Sequence, residues 1–364
     1  MIAIMLAFVM VFPVFDLTDV RVETVAGTGL PGHVDGEDAR FNMPFGIVAI
    51  DEDTVVVFDT FNNLIRQVQL GETSTVTGQI LDMSMFGFPS GHYLDGTLEE
   101  ALFSRPMGGA VDVLGRLFIA CSDNHSIRVV SDSNVYTLVG SGVPGFQDGV
   151  RIDAQFNHPS DISFKSDGTI VVADTLNHVI RRINVHGEVS VIAGVPGEYG
   201  YNDGAAAGAL FNSPMGVFVT KEDVIYVADT GNHLIRRIEA GVVTTLAGQL
   251  LFPEDIDWDE EGDFDHEPIG GFMDGKENLF NLPTGIVMLG DYVIVADSAN
   301  HRIRAIAPDG TASTIAGNGQ VGDVDGSGSE ASFHFPRSIA VWENMMFVAD
   351  TGNNQIRVIF LEVH

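Results

Sequence analysis

The chain has 364 residues, of which 45% are hydrophobic and 41 are glycine, a composition typical of a globular β protein with many turns. Its 50 acidic and 18 basic residues give a net charge of −32, which repels phosphate backbones and argues against nucleic acid as a partner. The only cysteine, Cys121, cannot form an internal disulfide, so cysteine usage does not indicate the compartment.

The chain begins with an apolar stretch, residues 1–15, which reads MIAIMLAFVMVFPVF. It is shorter than the ~20 residues that a membrane-spanning helix needs. It resembles the apolar core of a secretory signal, although it lacks a basic leading region and an obvious cleavage site. We therefore expect a signal or short anchor and a secreted, periplasmic or cell-surface protein, in contact with a membrane only through this stretch. A strand or plug packed on the domain, or a wrongly chosen start, is the alternative.

A twelve-residue motif then recurs six times at a spacing of about fifty residues, the signature of a repeat architecture. Its clearest copy, residues 227–238, reads VADTGNHLIRRI, and in the second copy Cys121 replaces the motif aspartate. The six motif arginines are Arg66, Arg128, Arg181, Arg236, Arg304 and Arg357. An Asp-Gly and a Phe-x-x-Pro precede each copy, and the next strand ends in glycine. These recurrent side chains predict turn bonds and ion pairs rather than catalysis, since a catalytic residue would be unique.

Each repeat contains four short runs with the β-branched content and turn punctuation of strands. Four-stranded units that repeat radially form a β-propeller. The glycine that should follow the sixth motif is missing, and its equivalent is Gly27 near the start of the chain. The sequence therefore predicts an all-β, six-bladed β-propeller in one domain, residues 16–364. A strand at about residues 20–26 is expected to complete the last blade and close the ring.

These motifs resemble the NHL family, named for the run seen here as Asn232, His233 and Leu234. The resemblance covers almost the whole chain and implies the same six-bladed fold. The histidines of these runs are His125, His178, His233 and His301. Because equivalent positions are spread around a ring, they cannot converge on one zinc ion, and we expect them to pack locally.

Two connections between blades are long, with 17 residues from Gly78 to Asp95 and 26 from Gly248 to Asp274, against 8 or 9 elsewhere. Both are expected on the face that carries the motif turns, on opposite sides of the channel mouth. The first, residues 79–95, is apolar and predicts either a plug packed on its neighbours or a contact surface for a ligand. Its candidate contact residues are Met83, Met85, Phe86, Phe88 and Tyr93.

The second connection, residues 249–274, contains the run DIDWDEEGDFDHE. The alternating acids approach a calcium-binding loop, although Pro268 occupies the place of the bidentate glutamate. The predicted ligands are Asp257, Asp259, Glu261, Asp263 and Asp265, and Trp258 is a candidate anchor for a partner. The alternatives are a solvated acidic loop and a Trp258 packed against the blade edge. Calcium is the only cofactor that the sequence suggests.

The residues after the six prolines are expected to line the channel mouth: Phe45, Met107, Ser160, Met215, Thr284 and Arg337. The resemblance includes a peptide-amidating lyase that binds a metal through histidines at these positions. None of the six is histidine, so that chemistry is not expected. Arg337, the only charge in the ring, should meet either an anionic ligand group or an acidic neighbour.

We therefore predict a non-catalytic binding or scaffold propeller. It would recognise a protein, peptide or glycan on the face with loops 79–95 and 249–274. The alternatives are a channel-mouth enzyme of lyase or hydrolase type and a structural subunit of a larger assembly.

Overall fold

The computed structural model describes residues 15–85, 87–252 and 267–363, which form strands joined by loops and short 3-10 turns. The chain begins with β1 (Phe15–Ala26), and the first and second repeats contain β2 (Gly46–Ala49), β3 (Thr54–Asp59), β4 (Leu64–Gln69), β5 (Glu72–Thr77), β6 (Gly96–Thr97), β7 (Pro106–Val111), β8 (Leu117–Cys121), β9 (Ser126–Val130) and β10 (Asn134–Val139). The third and fourth contain β11 (Gly149–Val150), β12 (Pro159–Phe164), β13 (Ile170–Asp174), β14 (Val179–Ile183), β15 (Glu188–Ala193), β16 (Gly204–Ala205), β17 (Gly216–Val219), β18 (Ile225–Asp229), β19 (Leu234–Glu239) and β20 (Val242–Ala247). The last two contain β21 (Pro283–Leu289), β22 (Tyr292–Asp297), β23 (Arg302–Ile306), β24 (Ala312–Ala316), β25 (Gly326–Ser327), β26 (Pro336–Trp342), β27 (Met345–Asp350) and β28 (Gln355–Val363).

The strands form six antiparallel sheets arranged as blades around a channel, which confirms the predicted six-bladed propeller. The innermost strands are β2, β7, β12, β17, β21 and β26, and each contacts the next around the ring, with β26 contacting β2. Buried aliphatic side chains fill the spaces between adjacent sheets. No helix in the described residues is long and apolar enough to cross a membrane.

The ring is closed by the first strand, as the displaced glycine predicted. Strand β1 pairs with β28 from Phe15 opposite Val363 to Ala26 opposite Ile356. It therefore begins earlier than residue 20 and forms a long antiparallel pair with the last strand. Val22, at the middle of this pair, is completely buried.

The Asp-Gly segments add a feature that the four-strand prediction lacked. In four sheets they form a short fifth strand, β6, β11, β16 or β25, outside the fourth. In the other two blades the same contact is a single bridge, Gly36 with Thr73 and Gly275 with Ala312. Each Asp-Gly aspartate is thereby held beside the fourth strand of its own blade, at the outer edge of the sheet.

The recurrent anchors of each repeat meet around the buried motif arginine. In the fourth blade, Arg236 donates from Nη1 to Asp229 and from Nη2 to Asp203, both at 2.7 Å. The same guanidinium donates to the carbonyls of Leu210 and Asn202, and its central carbon lies 5.1 Å from the ring centroid of Phe211. The arginine thus links two carboxylates and the Phe-x-x-Pro segment inside one blade.

Each of the six motif turns also connects neighbouring blades through a side chain that accepts a hydrogen bond from a backbone N–H of the next blade. Four of the acceptors are histidine Nδ1 atoms, as in His233, which accepts the backbone N–H of Leu282 at 2.9 Å. In the remaining two, Asn63 and Asn354 present Oδ1 to Arg105 and Met43. Each acceptor residue has the left-handed conformation that ends a 3-10 turn. The motif histidines therefore tie blades together, beyond the local packing that the sequence predicted.

The second blade allows a prediction about how much each carboxylate beside the motif arginine contributes to stability. There Cys121 occupies the position of the buried aspartate, and among the described residues Arg128 has Asp95 as its only ion-pair partner. We expect Asp95→Asn to destabilise the protein by about 2–3 kcal/mol more than Asp203→Asn, because Arg236 keeps Asp229 whereas Arg128 loses its last counter-charge. Urea unfolding of the two variants measures the difference. Equal losses of stability would show that Asp229 does not compensate for the missing charge of Asp203.

The histidine links predict a specific pH dependence. Burial disfavours the charged form of His125, His178, His233 and His301 and so lowers the pKa of each. Each ring must also stay neutral if Nδ1 is to accept its hydrogen bond. A pKa lowered below the ordinary value of about 6.5 means that the unfolded chain takes up protons first. The stabilisation that the four neutral histidines provide is therefore complete above about pH 6.5 and is lost as the pH falls below that value.

The chain provides its own control, because asparagine makes the same bond in two blades without titrating. We expect the fourfold His→Asn variant to lose less thermal stability between pH 7.5 and pH 5.5 than the unmodified protein. The motif aspartates, whose pKa burial raises to about 6, act in the opposite direction but are common to both proteins. Parallel melting temperatures across this pH range would contradict the assignment.

Candidate functional site

The six residues that follow the prolines surround the channel mouth on the face that carries the 3-10 turns, here called the turn face. They are Phe45, Met107, Ser160, Met215, Thr284 and Arg337. The mouth encloses only about 20 Å³, and the channel widens beyond it to a cavity of about 250 Å³. The structure thus brings together all six residues that the family resemblance placed at the mouth.

Arg337 is a cation without a counter-charge in this ring. Its central carbon lies 4.9 Å from the ring centroid of Phe45 and 5.7 Å from that of Phe335. No carboxylate in the described residues pairs with it, and its Nε is buried without a hydrogen-bond partner. Burial lowers the pKa of its guanidinium to about 10, so it stays charged at neutral pH. Asp161 is the only acidic residue that lines the mouth in the described part of the chain, and it makes no ion pair with the guanidinium, which is thus left without a bonded counter-charge.

The two hydroxyl residues of the mouth are engaged between blades. Ser160 donates to the carbonyl of Met215 at 2.7 Å, and Thr284 donates to the carbonyl of Arg337 at 2.8 Å. Both side chains are buried. Their hydroxyl protons therefore serve the ring and are not free for a ligand.

Sequence reasoning did not single out Asp161, which lines both the mouth and the wider cavity. Its carboxylate accepts the backbone N–H of Val217 from the neighbouring blade at 3.1 Å. Enclosure in the channel wall raises the pKa of this carboxyl to about 7. A signal was present, since the equivalent position in the other repeats is glycine or serine. The Asp161 side chain thus accepts an N–H of β17, an innermost strand with no neighbouring strand on its channel side among the described residues.

The apolar connection, residues 79–95, is held at the junction of the first two blades. Asn63 donates to the carbonyl of Pro89 at 3.1 Å, and the Tyr93 hydroxyl bonds to Thr137 at 2.5 Å. None of its described residues lines the channel mouth. Met83, Met85, Phe88 and Tyr93 are all exposed, Met85 to 91%. Phe86 lies outside the described residues.

A recess of about 400 Å³ lies between this connection and the first two motif turns. One wall consists of the rings of Phe61 and Phe88, whose centroids are 6.0 Å apart in an edge-to-face arrangement. Arg105 lies over Phe61 at 5.0 Å and pairs with Asp123 at 3.3 Å. The recess thus offers aromatic faces beside one positive and one negative group.

The predicted calcium ligands Asp257, Asp259, Glu261, Asp263 and Asp265, together with Trp258, lie outside the described residues. Elsewhere, residues 15–85, 87–252 and 267–363 contain no group of three His, Cys, Asp or Glu side chains placed to hold a metal ion. The calcium site stays a prediction.

No family model matches the chain. It is 30% identical over 284 residues to the Arabidopsis thaliana protein SUPPRESSOR OF QUENCHING 1, chloroplastic, covering 74% of this chain and 26% of that protein. It is 28% identical over 360 residues to NHL repeat-containing protein 2 of Homo sapiens, covering 87% of this chain and 46% of that protein. The chain therefore spans less than half the length of either relative.

Solved structures show the same fold at low identity. An auxiliary nutrient binding protein from Bacteroides ovatus superposes with a TM-score of 0.65 at 15% identity, covering 95% of this chain and 77% of that one. A streptogramin B lyase superposes with a TM-score of 0.54 at 13% identity, covering 94% of this chain and 98% of that one. At these identities the likeness concerns the fold alone.

Proposed function

Since this chain is a β-propeller of the NHL-repeat family, we propose that it is a non-catalytic binding module that takes a peptide or protein ligand on its turn face. The observation that carries the proposal is the connection of residues 79–95. It is anchored to the first two blades through Pro89 and Tyr93, yet it leaves Met83, Met85 and Phe88 exposed instead of closing the channel. Methionine and phenylalanine side chains held together on a surface are typical of adaptable contact sites.

The rest of the turn face supports a ligand of mixed character. The recess beside the connection presents Phe61 and Arg105, and the channel mouth presents the unpaired guanidinium of Arg337. A peptide with apolar side chains and one carboxylate would complement these groups. A glycan is the other class of ligand that such aromatic surfaces can take.

The comparisons support a binding role at the level of fold. One solved propeller with this architecture is described as an auxiliary nutrient binding protein, whereas others are lyases. The ring at the mouth has no histidine and so lacks the metal ligands of the peptide-amidating lyase, which favours binding over that chemistry. An extracytoplasmic location, suggested by the signal-like residues 1–15, is part of the proposal.

Selection from a random peptide library on immobilised protein, in parallel with a glycan array, tests this function. We expect a selected peptide whose affinity falls at least tenfold in the variant Met85→Ser/Phe88→Ser. The control variant Leu70→Ser/Leu114→Ser alters equally exposed side chains on hairpins of the opposite face and should leave affinity unchanged. Binding that only the control variant abolishes, or cleavage of the selected peptide by the protein, would overturn the proposal.

Calcium binding by the acidic connection is proposed as an accompaniment to this function. We expect native mass spectrometry to show one bound calcium ion that a chelator removes, and Asp257→Asn/Asp259→Asn to abolish it. The matched change Asp51→Asn/Asp53→Asn removes the same charge in a hairpin on the opposite face and should retain the ion. An unchanged mass in the presence of calcium would leave the connection as a solvated acidic loop.

A further inference from the structure

A groove of about 480 Å³ opens between the second and third blades on the face opposite the turn face. Its floor contains the rings of Phe118 and Phe164, one from each blade, with centroids 5.1 Å apart at 89°. Tyr136 and Leu138 form part of one wall. This size and an apolar floor are typical of sites for small organic ligands, which occupy about 300–1,000 Å³.

The charge of the groove is opposite to that of the protein. Arg116, Arg151 and Lys165 line it, together with a single carboxylate, Asp112. Asp112 is already paired with Arg116, which donates to it from Nε at 2.8 Å and from Nη2 at 2.6 Å. In a chain with 50 acidic and 18 basic residues, the groove therefore has an excess of positive charge.

The other two cations are not held in ion pairs. Arg151 and Lys165 have no carboxylate within 4.0 Å among residues 15–85, 87–252 and 267–363, although the exposed carboxylate of Asp167 on the same hairpin interacts electrostatically with Lys165. Neighbouring carboxylates are occupied: Asp223 accepts from the N–H and hydroxyl of Ser166, and Glu188 accepts from the side chain of Asn184. An anionic group in the groove would thus meet two cations without breaking an ion pair of either one.

Local backbone geometry holds Arg151 at the edge of the groove. Its φ is +54°, in the left-handed region that side chains rarely adopt, and its N–H donates to the carbonyl of Gly187 at 2.8 Å. Gly187 has no Cβ, and one added there would lie 3.1 Å from Cγ of Arg151. The glycine therefore leaves room for the arginine side chain to cross it.

We infer that this groove binds a small organic anion with an aromatic or aliphatic body. The body lies on Phe118, Phe164 and Tyr136, and the anionic group meets Arg151 and Lys165. The exposed side chains of Val113 and Val185 stand at the rim, where they can cover the body of the ligand. This site is separate from the turn face and does not depend on the function proposed there.

The fluorescent aromatic anion 1-anilinonaphthalene-8-sulfonate is a suitable probe for titration of the full-length chain. We expect one saturable site, with affinity reduced at least tenfold in Arg151→Gln/Lys165→Gln. The control Arg40→Gln/Lys221→Gln removes two other cations that lack ion pairs among the described residues, and its affinity should stay within twofold of the unmodified protein. Equal affinity in the two double variants, or binding that does not saturate, would overturn the inference.

Competition on the unmodified protein tests the same inference without relying on variants. We expect 2-naphthoate to displace the probe at a concentration at least tenfold lower than the neutral isostere 2-naphthylmethanol. Equal displacement by both compounds would mean that the groove recognises only an apolar body, which contradicts the role given to Arg151 and Lys165.

Discussion

Replacing Arg236 with methionine is expected to lower the free energy of unfolding by about 3–5 kcal/mol. The guanidinium is fully buried and satisfies Asp229, Asp203 and two carbonyls of the same blade. Methionine retains much of the side-chain volume but leaves the buried carboxylate of Asp229 without a counter-charge. Urea unfolding followed by circular dichroism measures the loss.

The next residue provides a matched control. Arg237 lies on the same strand but points outward, where it pairs with Glu239 while both side chains stay partly exposed. Its replacement by methionine should cost less than about 1 kcal/mol, because exposed ion pairs contribute little. Similar losses in the two variants would show that the buried cluster does not stabilise the blade.

Removal of β1 should have an even larger effect. A chain that starts at Gly27 exposes one edge of β28, together with the surface that Val20 and Val22 cover. The loss of these two buried valines alone costs about 3–6 kcal/mol, which is comparable with the total stability of many domains. We expect the chain of residues 27–364 to lose its cooperative unfolding transition and to associate through the free strand edge.

The chain of residues 15–364 is the control for this truncation, because it keeps the whole of β1. It should unfold at the same temperature as the full chain. A truncated chain that stays monomeric with an unchanged melting temperature would show that β1 is dispensable for the propeller.

The sequence predicted the architecture because the same side chains recur in the same order. The motif arginine, the Asp-Gly aspartate and the phenylalanine have a fixed place in every blade, and the motif aspartate in all but the second, so their spacing encodes the fold. The position of Gly27 also predicted how the ring closes, since a strand without its repeat partners must belong to the last blade. The residues of the channel ring were identified through the resemblance to the amidating lyase, whose matching segments recur after each proline.

Other features depend on which blades are neighbours in space, and the sequence shows this less directly. The alternation of His233 and Asn63 at one motif position indicates a shared acceptor, but its partner lies in the next blade. The groove depends on Arg116 and Lys165, which come from hairpins of adjacent blades, and on Arg151, which follows β11; they converge only through the order of the blades around the ring. Asp161 differs from its counterparts, yet its contact with Val217 requires the same geometry.

A rearranged chain tests the central claim, that β1 acts as a strand of the last blade, most directly. Phe15 lies opposite Val363, so a two-residue turn can join the end of β28 to the start of β1 as an ordinary hairpin. We expect a chain of residues 27–363, this turn and residues 15–26 to regain the cooperative transition and melting temperature of the 15–364 chain. A rearranged chain that stays as unstable as the truncated 27–364 chain would contradict the closure of the ring by these two strands.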